Sequence, residues 1–178
     1  MKKFILLFAT ILFVACQQPS DSIASVKVDD DKTQAIQKMF ENYMAYGTDN
    51  YDPDYDQSII SDDLQGNNSI PGFEVNKDSF LETDSQHHAL FDNISMWMPG
   101  SEDGTGGGLH TNYYDEFGTW THYWGTWTGT GKFTGNQVTQ FIHLNYGWND
   151  EGKIINHNIH IDGKDFLTEL NAAQAASE

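Results

Sequence analysis

The feature that most constrains the fold is the segment 120–162, in which Trp, Tyr, Thr and His residues are dense. Aromatic and β-branched residues favour strands, and glycine-containing segments at 129–135 and 149–152 interrupt the pattern as turns would. We therefore predict three long consecutive strands, near residues 117–130, 137–148 and 153–162. Because side chains alternate along a strand, one face would carry aromatic rings and polar groups together, as the wall of a binding pocket does.

Segments with helical periodicity flank these strands. Apolar residues recur at three- and four-residue spacing between Ala35 and Met44, and Gly47 marks the expected end of that helix. Residues 78–92 and 165–176 predict two more helices, and residues 94–98 predict a strand. Helices followed by a run of strands predict an α+β fold, in which helices pack on one face of an antiparallel sheet.

The N-terminal segment has the composition of a targeting signal. Lys2 and Lys3 precede an apolar run that ends at Val14. This run is shorter than the roughly 20 residues that a membrane-spanning helix needs. We therefore predict a cleaved signal peptide over residues 1–15.

The residues around the predicted cleavage point resemble a bacterial lipobox, with Phe13-Val14-Ala15 before Cys16 and Phe where Leu is usual. The resemblance implies that Cys16 becomes the lipid-carrying N-terminus of a membrane-anchored lipoprotein on the periplasmic or cell-surface side. The alternative is an ordinary signal peptide that is cleaved nearby. The polar residues 16–31 would form a flexible tether, and residues 32–178 a single domain. Cys16 is the sole cysteine, so the domain has no disulfide.

The charge of the chain excludes several classes of partner. The sequence has 26 acidic residues against 9 basic ones, a formal net charge of −17, and every basic residue is Lys. Nucleic-acid binding needs clustered cationic donors, and bidentate clamping of phosphate needs Arg. We therefore expect a small-molecule ligand and no nucleic acid.

Motifs for cofactors and covalent catalysis are weak or absent in the sequence. Asp52-Pro53-Asp54-Tyr55-Asp56 looks like the start of a calcium loop, but Gln57 replaces the required glycine. Gly104 to Gly108 lacks the Lys of a phosphate-binding loop, and no Gly-x-Ser-x-Gly motif is present. No histidine pair has credible zinc spacing. We therefore predict neither a metal site nor a cofactor.

Four short motifs occur in an order typical of a known superfamily: Trp124-Gly-Thr-Trp-Thr-Gly129, Thr134-Gly135, Glu151-Gly-Lys-Ile154 and Asp162. Together they resemble the nuclear transport factor 2-like superfamily, particularly its SnoaL-like branch, although Glu151 replaces the usual Asp. The resemblance implies a curved antiparallel sheet wrapped around N-terminal helices as a cone-shaped α+β barrel. It also implies a conical pocket and frequent homodimers. Members include polyketide cyclases, isomerases, dehydratases and binding modules without activity, so the fold alone does not define function.

The last predicted strand carries the first candidate site. By alternation, Asn158, His160 and Asp162 share one face, and His160 is close enough to Asp162 for the two to act as an acid/base pair. In SnoaL-like cyclases an Asp on this strand is the general acid/base, and the resemblance assigns that catalytic role to Asp162. The alternative is that Asp162 ends the strand and caps the following turn.

The preceding strands add candidate ligand-binding residues by the same alternation. Trp120, His122 and Trp124 share one face of their strand, and His143 lies on the next strand. A histidine between aromatic rings can hold a proton near neutral pH, and the Trp rings, with Trp127, could stack on an apolar ligand or a sugar. Packing in the core or at a dimer interface explains these residues equally well.

Three functional hypotheses follow from these observations. The leading one is a lipid-anchored domain that binds a small, mostly apolar molecule in a conical pocket. The second is a non-covalent cyclase, isomerase or dehydratase that uses His160 and Asp162 to move a proton. The third is a non-catalytic interaction module that forms a homodimer through the aromatic face of its sheet.

Overall fold

The computed structural model describes residues 24–98 and 108–178. Within them the chain forms seven strands and four helices. In chain order these are β1 (Ala24–Lys27), α1 (Asp31–Met44), α2 (Tyr55–Ile59), β2 (Ile60–Asn68), α3 (Lys77–Leu90), β3 (Phe91–Met96), β4 (Gly108–Tyr114), β5 (Gly118–Gly131), β6 (Gln137–Trp148), β7 (Ile154–His160) and α4 (Lys164–Ala175).

One mixed sheet contains all seven strands. Its order is β1-β4-β5-β6-β7-β2, and β3 pairs with β5 outside this path. Every pairing is antiparallel except that β2 runs parallel to β7. The predicted α+β fold is confirmed, with one difference. The sequence prediction gave a purely antiparallel sheet, because it did not recognise β2 as a strand.

The three predicted long strands correspond to β5, β6 and β7. β5 and β6 pair without interruption from Thr119 opposite Trp148 to Thr130 opposite Gln137. Gly135 and Gly152 lie in the turns before β6 and β7 with φ of 73° and 74°. Only glycine adopts this left-handed conformation without strain, which explains the glycines of the Thr134-Gly135 and Glu151-Gly152 motifs.

Helix α1 supplies the helical half of the core. It begins at an N-cap, Asp30, whose side chain accepts a hydrogen bond from the Thr33 backbone N–H at 2.8 Å. Its buried face includes Ile36, Phe40 and Tyr43. The Phe40 ring meets Tyr123 of β5 edge to face, with 4.6 Å between the ring centroids. The helix therefore packs directly on the inner face of the central strands.

The predicted tether at 16–31 extends too far along the chain. Ala24 to Lys27 pair with Tyr114 to Thr111 of β4, and Asp30 and Asp31 begin helix α1. Short polar strands of this kind are hard to recognise in sequence, because they lie at the edge of a sheet and bury few side chains. The rest of the predicted tether, the signal peptide and Cys16 lie outside the described residues.

Helix α4 is attached to the turn between β5 and β6 by a buried carboxylate. Glu169 accepts hydrogen bonds from the backbone N–H of Phe133 at 2.5 Å and from the Thr134 hydroxyl at 2.6 Å. The Phe166 ring, one helical turn earlier, packs against Phe91 with 5.9 Å between centroids. The terminal helix is therefore part of the domain and covers one end of the sheet.

Candidate functional site

A cavity of about 210 Å³ lies between the inner face of the sheet and helices α1, α3 and α4. Its wall is mostly apolar and aromatic, with a small number of polar groups. Main contributors are Phe40, Tyr43, Phe80, Trp127, Ile142, Leu144, Tyr146, Ile159, Ile161 and Phe166, and the polar ones include Asp56, Asp84, His87 and His157. A mostly apolar cavity with a few polar groups is the usual form of a small-molecule site.

The sequence-predicted site lies on the opposite face of the sheet. None of Asn158, His160, Asp162, Trp120, His122, Trp124 and His143 is among the residues that line the cavity. The alternation of side chains was assigned correctly, and the register places His143 opposite both Trp124 and His160. The choice of the inner face was wrong. His160 and Asp162 are exposed, and 41% of Trp124 is accessible to solvent.

Residues alternate between the two faces of β7, and the more apolar of the two sets points toward the cavity. Ile154 and His157 are buried, and Ile159 and Ile161 follow on the cavity side. A bulge changes the phase at the start of the strand, because Trp148 pairs with Ile154 while Gly147 pairs with Asn156. The isoleucines of this strand were the available sign of the inward face, because burial of apolar surface decides which face of a strand points to the core.

The contacts of Asp162 are those of a residue that ends the strand and caps the following turn, the alternative to a catalytic role. Its carboxylate accepts a hydrogen bond from the backbone N–H of Lys164 at 3.1 Å, at the start of α4. Its carbonyl accepts one from the Gln140 side chain at 2.7 Å. Asp162 therefore organises the turn between β7 and α4.

The outer face carries a row of four histidines across adjacent strands. The ring centroids of His110 and His122 are 5.4 Å apart, those of His122 and His143 are 6.2 Å apart, and those of His143 and His160 are 5.4 Å apart. The Trp124 ring stacks on His143 with 3.4 Å between centroids. We call His110, His122, His143 and His160 the histidine row.

Two members of the histidine row, His110 and His143, have lowered pKa values. Burial lowers the pKa of His110 and His143, and the charge of neighbouring imidazoles lowers both further. The His122 Nδ1 atom lies 2.5 Å from the Asn145 side-chain oxygen, which fixes that ring. Within the described residues, no three His, Cys, Asp or Glu side chains are placed to hold one metal ion.

Two buried carboxyl groups face the cavity from different helices. Asp56 of α2 and Asp84 of α3 are each only 7% exposed. Burial raises the pKa of Asp56 to about 7, and the nearby Asp84 raises it further against an opposing contact with the Asn42 amide. Burial likewise raises the pKa of Asp84 to about 6, although the Tyr51 hydroxyl donates a hydrogen bond to it. Both carboxyls therefore exchange protons near neutral pH.

A hydrogen-bonded chain crosses the cavity wall beside these acids. The Trp127 indole N–H donates to the Tyr43 hydroxyl at 2.8 Å, and that hydroxyl lies 2.8 Å from His87 Nδ1. Burial lowers the pKa of His87 to about 4, so the ring is neutral at physiological pH. The Tyr43 hydroxyl therefore accepts from Trp127 and shares a second hydrogen bond with His87, whose direction is set by the tautomer of that ring.

A second buried histidine lies on the inner face of β7. The His157 ring stacks on Tyr146 with 4.5 Å between centroids and meets the Phe80 ring at 5.3 Å. Burial lowers its pKa to about 4. The ring thus acts as a neutral, largely apolar part of the wall.

Sequence reasoning missed the polar groups of the cavity, although partial signals were present. Phe80, Asp84 and His87 recur at helical spacing, so they share one face of α3. Asp56 belongs to the segment that was compared with a calcium loop and set aside. Trp127 was considered as a stacking residue, and it does line the cavity.

Comparisons with known proteins identify the fold. No family model matches the sequence, and no curated protein matches it significantly. BvnE pinacolase from Penicillium brevicompactum superposes with a TM-score of 0.57 at 12% identity, over 83% of this chain and 96% of that one. A protein described as a SnoaL-like polyketide cyclase from Jannaschia sp. CCS1 gives 0.56 at 10% identity, over 86% and 96%.

A third structure has a bound small molecule. It is a protein with a ketosteroid isomerase-like fold from Catenulispora acidiphila DSM 44928, in complex with trimethylamine. It superposes with a TM-score of 0.50 at 8% identity, over 71% of this chain and 84% of that one. The chain therefore has the nuclear transport factor 2-like fold, as the strand and turn motifs predicted. Among the described helices, none is long and apolar enough to cross a bilayer.

Proposed function

We propose that this SnoaL-like domain binds a small, mostly apolar molecule in the cavity between its helices and the inner face of the sheet. The observation that carries the proposal is the cavity of about 210 Å³ itself, with its aromatic wall and few polar groups. For comparison, an apolar protein cavity of about 150 Å³ is large enough to bind benzene. The ligand-bearing neighbour of the same fold also supports this proposal.

The proposal is tested by filling the cavity. Ile159→Phe adds volume to the wall, and Phe141→Trp adds volume on the outer face, where Phe141 is 55% exposed. We expect apolar probes such as toluene and indole to raise the melting temperature of the wild-type chain and of Phe141→Trp, but not of Ile159→Phe. No stabilisation of the wild-type chain by any apolar probe would contradict the proposal. A second filling variant, Ile161→Phe, covers the case in which Ile159→Phe does not fold.

A second candidate function is proton transfer in the same cavity. The acid/base pair predicted from sequence, His160 and Asp162, faces away from the cavity, whereas Asp56 and Asp84 line it. A carboxyl whose pKa is about 7 can both take and return a proton at neutral pH, as a cyclase, isomerase or dehydratase requires. Asp56 would remove a proton from the carbon next to a carbonyl and return one to the product.

Hydrogen exchange tests this second function without knowledge of the substrate. In deuterated water, the chain would catalyse replacement of the α-hydrogens of a small cyclic ketone by deuterium, which NMR follows directly. We expect Asp56→Asn to abolish the exchange and Asp162→Asn to leave it unchanged. Exchange that survives in Asp56→Asn would contradict the assignment of Asp56 as the base.

We also propose that the mature chain is a lipoprotein anchored through Cys16 on the periplasmic or cell-surface side. The charged start, the apolar run and the Ala15-Cys16 pair support this. A fatty-acid analogue fed to bacterial cells that express the chain should label it, and Cys16→Ser should remove the label. Recovery of Cys16→Ser from the membrane fraction in the wild-type amount would contradict the anchor.

The outer face of the sheet supports a further proposal, a homodimer. Trp124 and Phe141 are exposed there side by side, with 6.3 Å between their ring centroids. Exposed aromatic pairs of this kind are common at protein interfaces. We expect sedimentation to show a dimer that Phe141→Glu converts to a monomer. A wild-type chain that sediments as a monomer at high concentration would contradict it.

A further inference from the structure

The cavity holds negative charge with no positive charge opposite it. Asp56 and Asp84 both line it, and no Lys is among the lining residues. The chain contains no Arg. In the described residues the salt bridges are Lys77–Asp62 and Lys132–Asp92, and neither involves a cavity acid. A buried carboxylate without a cation is costly, and such groups in proteins are usually paired or protonated.

One oxygen of Asp56, a residue of the cavity wall, is buried without a hydrogen-bond partner among the described residues. This oxygen is the Oδ1 atom. The Asp84 carboxyl, by contrast, accepts a hydrogen bond from the Tyr51 hydroxyl. An unsatisfied buried acceptor in a cavity wall is stabilised when a ligand donor reaches it and supplies the missing hydrogen bond.

The rest of the wall favours a cation with an apolar body. Tyr43, Phe80, Trp127 and Tyr146 present aromatic rings, whose faces attract positive charge. The cavity histidines do not compete for this role, since both are neutral at physiological pH. The overall charge of −17 would also concentrate cations at the entrance.

We propose that the cavity takes an apolar molecule that carries a protonated amine, with the ammonium group donating to Asp56 and the body lying among the aromatic rings. This inference rests on the proposed binding function and specifies its ligand class. A neutral carbonyl compound is the competing class, because a protonated Asp56 would donate a hydrogen bond to it.

The two classes differ in their pH dependence. An ammonium group binds the ionised carboxylate, so amine affinity falls as pH drops below about 7, the pKa of Asp56. A carbonyl ligand binds the protonated acid, so its affinity rises over the same range. The titratable groups that line the cavity or influence Asp56 are Asp52, Glu74, Asp84, Tyr43, Tyr51, Tyr55, Tyr146, His87 and His157, of which Glu74 is exposed. Between pH 5.5 and 8 the tyrosines and histidines stay neutral, because burial raises the tyrosine pKa values and lowers the histidine ones.

The test compares 2-phenylethylamine with 2-phenylethanol, which has the same shape and no charge. Calorimetry on the full chain at pH 8 should show the amine to bind at least about tenfold more tightly. Asp56→Asn should remove this preference while it retains 2-phenylethanol binding. Asp62→Asn, which removes an exposed charge outside the cavity, should keep the preference. The amine affinity of the wild-type chain should fall between pH 8 and pH 5.5.

The outcomes separate the inference from the function on which it rests. Equal affinity for the two probes, or tighter binding of the alcohol, would overturn the amine assignment and leave apolar binding intact. A preference that survives in Asp56→Asn would overturn the role of Asp56. Binding of neither probe, together with no stabilisation by toluene or indole, would overturn both the inference and the binding function.

Discussion

The two faces of the sheet carry similar residues in different surroundings. On the outer face, the histidine row and Trp124 lie side by side at or near the solvent surface. On the inner face, His157 stacks on Tyr146 beneath helix α3, near buried acids. Residue type therefore does not identify a site in this fold. Enclosure does, because burial moves pKa values to about 7 for Asp56 and about 4 for His157 around the cavity.

The largest expected difference between the faces is in stability. Ile142 and Phe141 are neighbours on β6, but Ile142 is 5% exposed whereas Phe141 is 55% exposed. We expect Ile142→Ala to lower the free energy of unfolding by about 2–5 kcal/mol, because it removes buried methyl groups and enlarges a cavity. Phe141→Ala should change it by no more than about 0.5 kcal/mol in the monomer. Denaturant titration at low concentration measures both, and equal losses would contradict the assignment of faces.

The next expected effect is a pH dependence that the inner acids produce. The pKa of Asp56 is raised to about 7 in the folded state, so between about pH 4 and pH 7 the folded chain binds more protons than the unfolded chain. The contribution of Asp56 to the free energy of unfolding therefore falls as pH rises through that window. The difference in free energy of unfolding between Asp56→Asn and wild type should therefore increase in favour of the variant from pH 4 to pH 7, by on the order of 2–4 kcal/mol. Above pH 7 it should stay constant.

The buried histidines His87 and His157 change the free energy of unfolding with pH in the opposite direction. Their pKa values of about 4 mean that the unfolded chain binds more protons between about pH 4 and pH 6.5, so their contribution rises with pH. The pH profile of the wild-type chain should thus be flatter than that of Asp56→Asn. Ile142→Ala, which removes no ionisable group, serves as the control with a constant difference from wild type. A constant difference for Asp56→Asn would contradict the raised pKa.

A smaller effect is expected from the hydrogen-bonded chain in the cavity wall. Tyr43→Phe removes the hydroxyl that joins Trp127 to His87 and leaves two buried polar groups unpaired. We expect a loss of about 1–3 kcal/mol in the free energy of unfolding. Tyr114→Phe removes a partly buried hydroxyl that accepts a hydrogen bond from the Asn112 side chain. This variant should lose less free energy of unfolding than Tyr43→Phe. Larger losses from Tyr114→Phe would contradict the comparison.

The smallest effect is expected from the residues that the sequence identified as catalytic. His160→Ala and Asp162→Asn alter exposed side chains outside the cavity. Ligand affinity should therefore stay within about twofold of wild type, which corresponds to a few tenths of a kcal/mol. Loss of affinity in either variant would place the binding site on the outer face, against the assignment made from the cavity.

The fold was predictable from sequence because its signals are local. The aromatic strands, the turns at Gly135 and Gly152 and the helical spacing of α1 each depend on residues close together in the chain. The faces of β7 were also separable by alternation. Which face points inward required weighing Ile159 and Ile161 against the polar set, and the prediction gave more weight to the polar residues.

The acids of the cavity were not predictable in the same way. Asp56 and Asp84 come together only through the packing of α2 and α3 around one cavity. The helical spacing of Phe80, Asp84 and His87 places them on one face of α3 but does not indicate that this face meets Asp56. Asp56 also lies in a segment rich in acidic residues, most of which are exposed. Burial distinguishes it from its neighbours, and burial is a property of the assembled fold.

The attachment of helix α4 determines when the cavity is complete during synthesis. Phe166 contributes to the wall, and Glu169 fastens the helix to the turn between β5 and β6. Both residues follow the seven described strands in the chain. A polypeptide that emerges from the ribosome with its N-terminus first would thus expose the apolar surface of the cavity until helix α4 docks. Ligand binding and protection from aggregation would therefore both depend on the docking of helix α4.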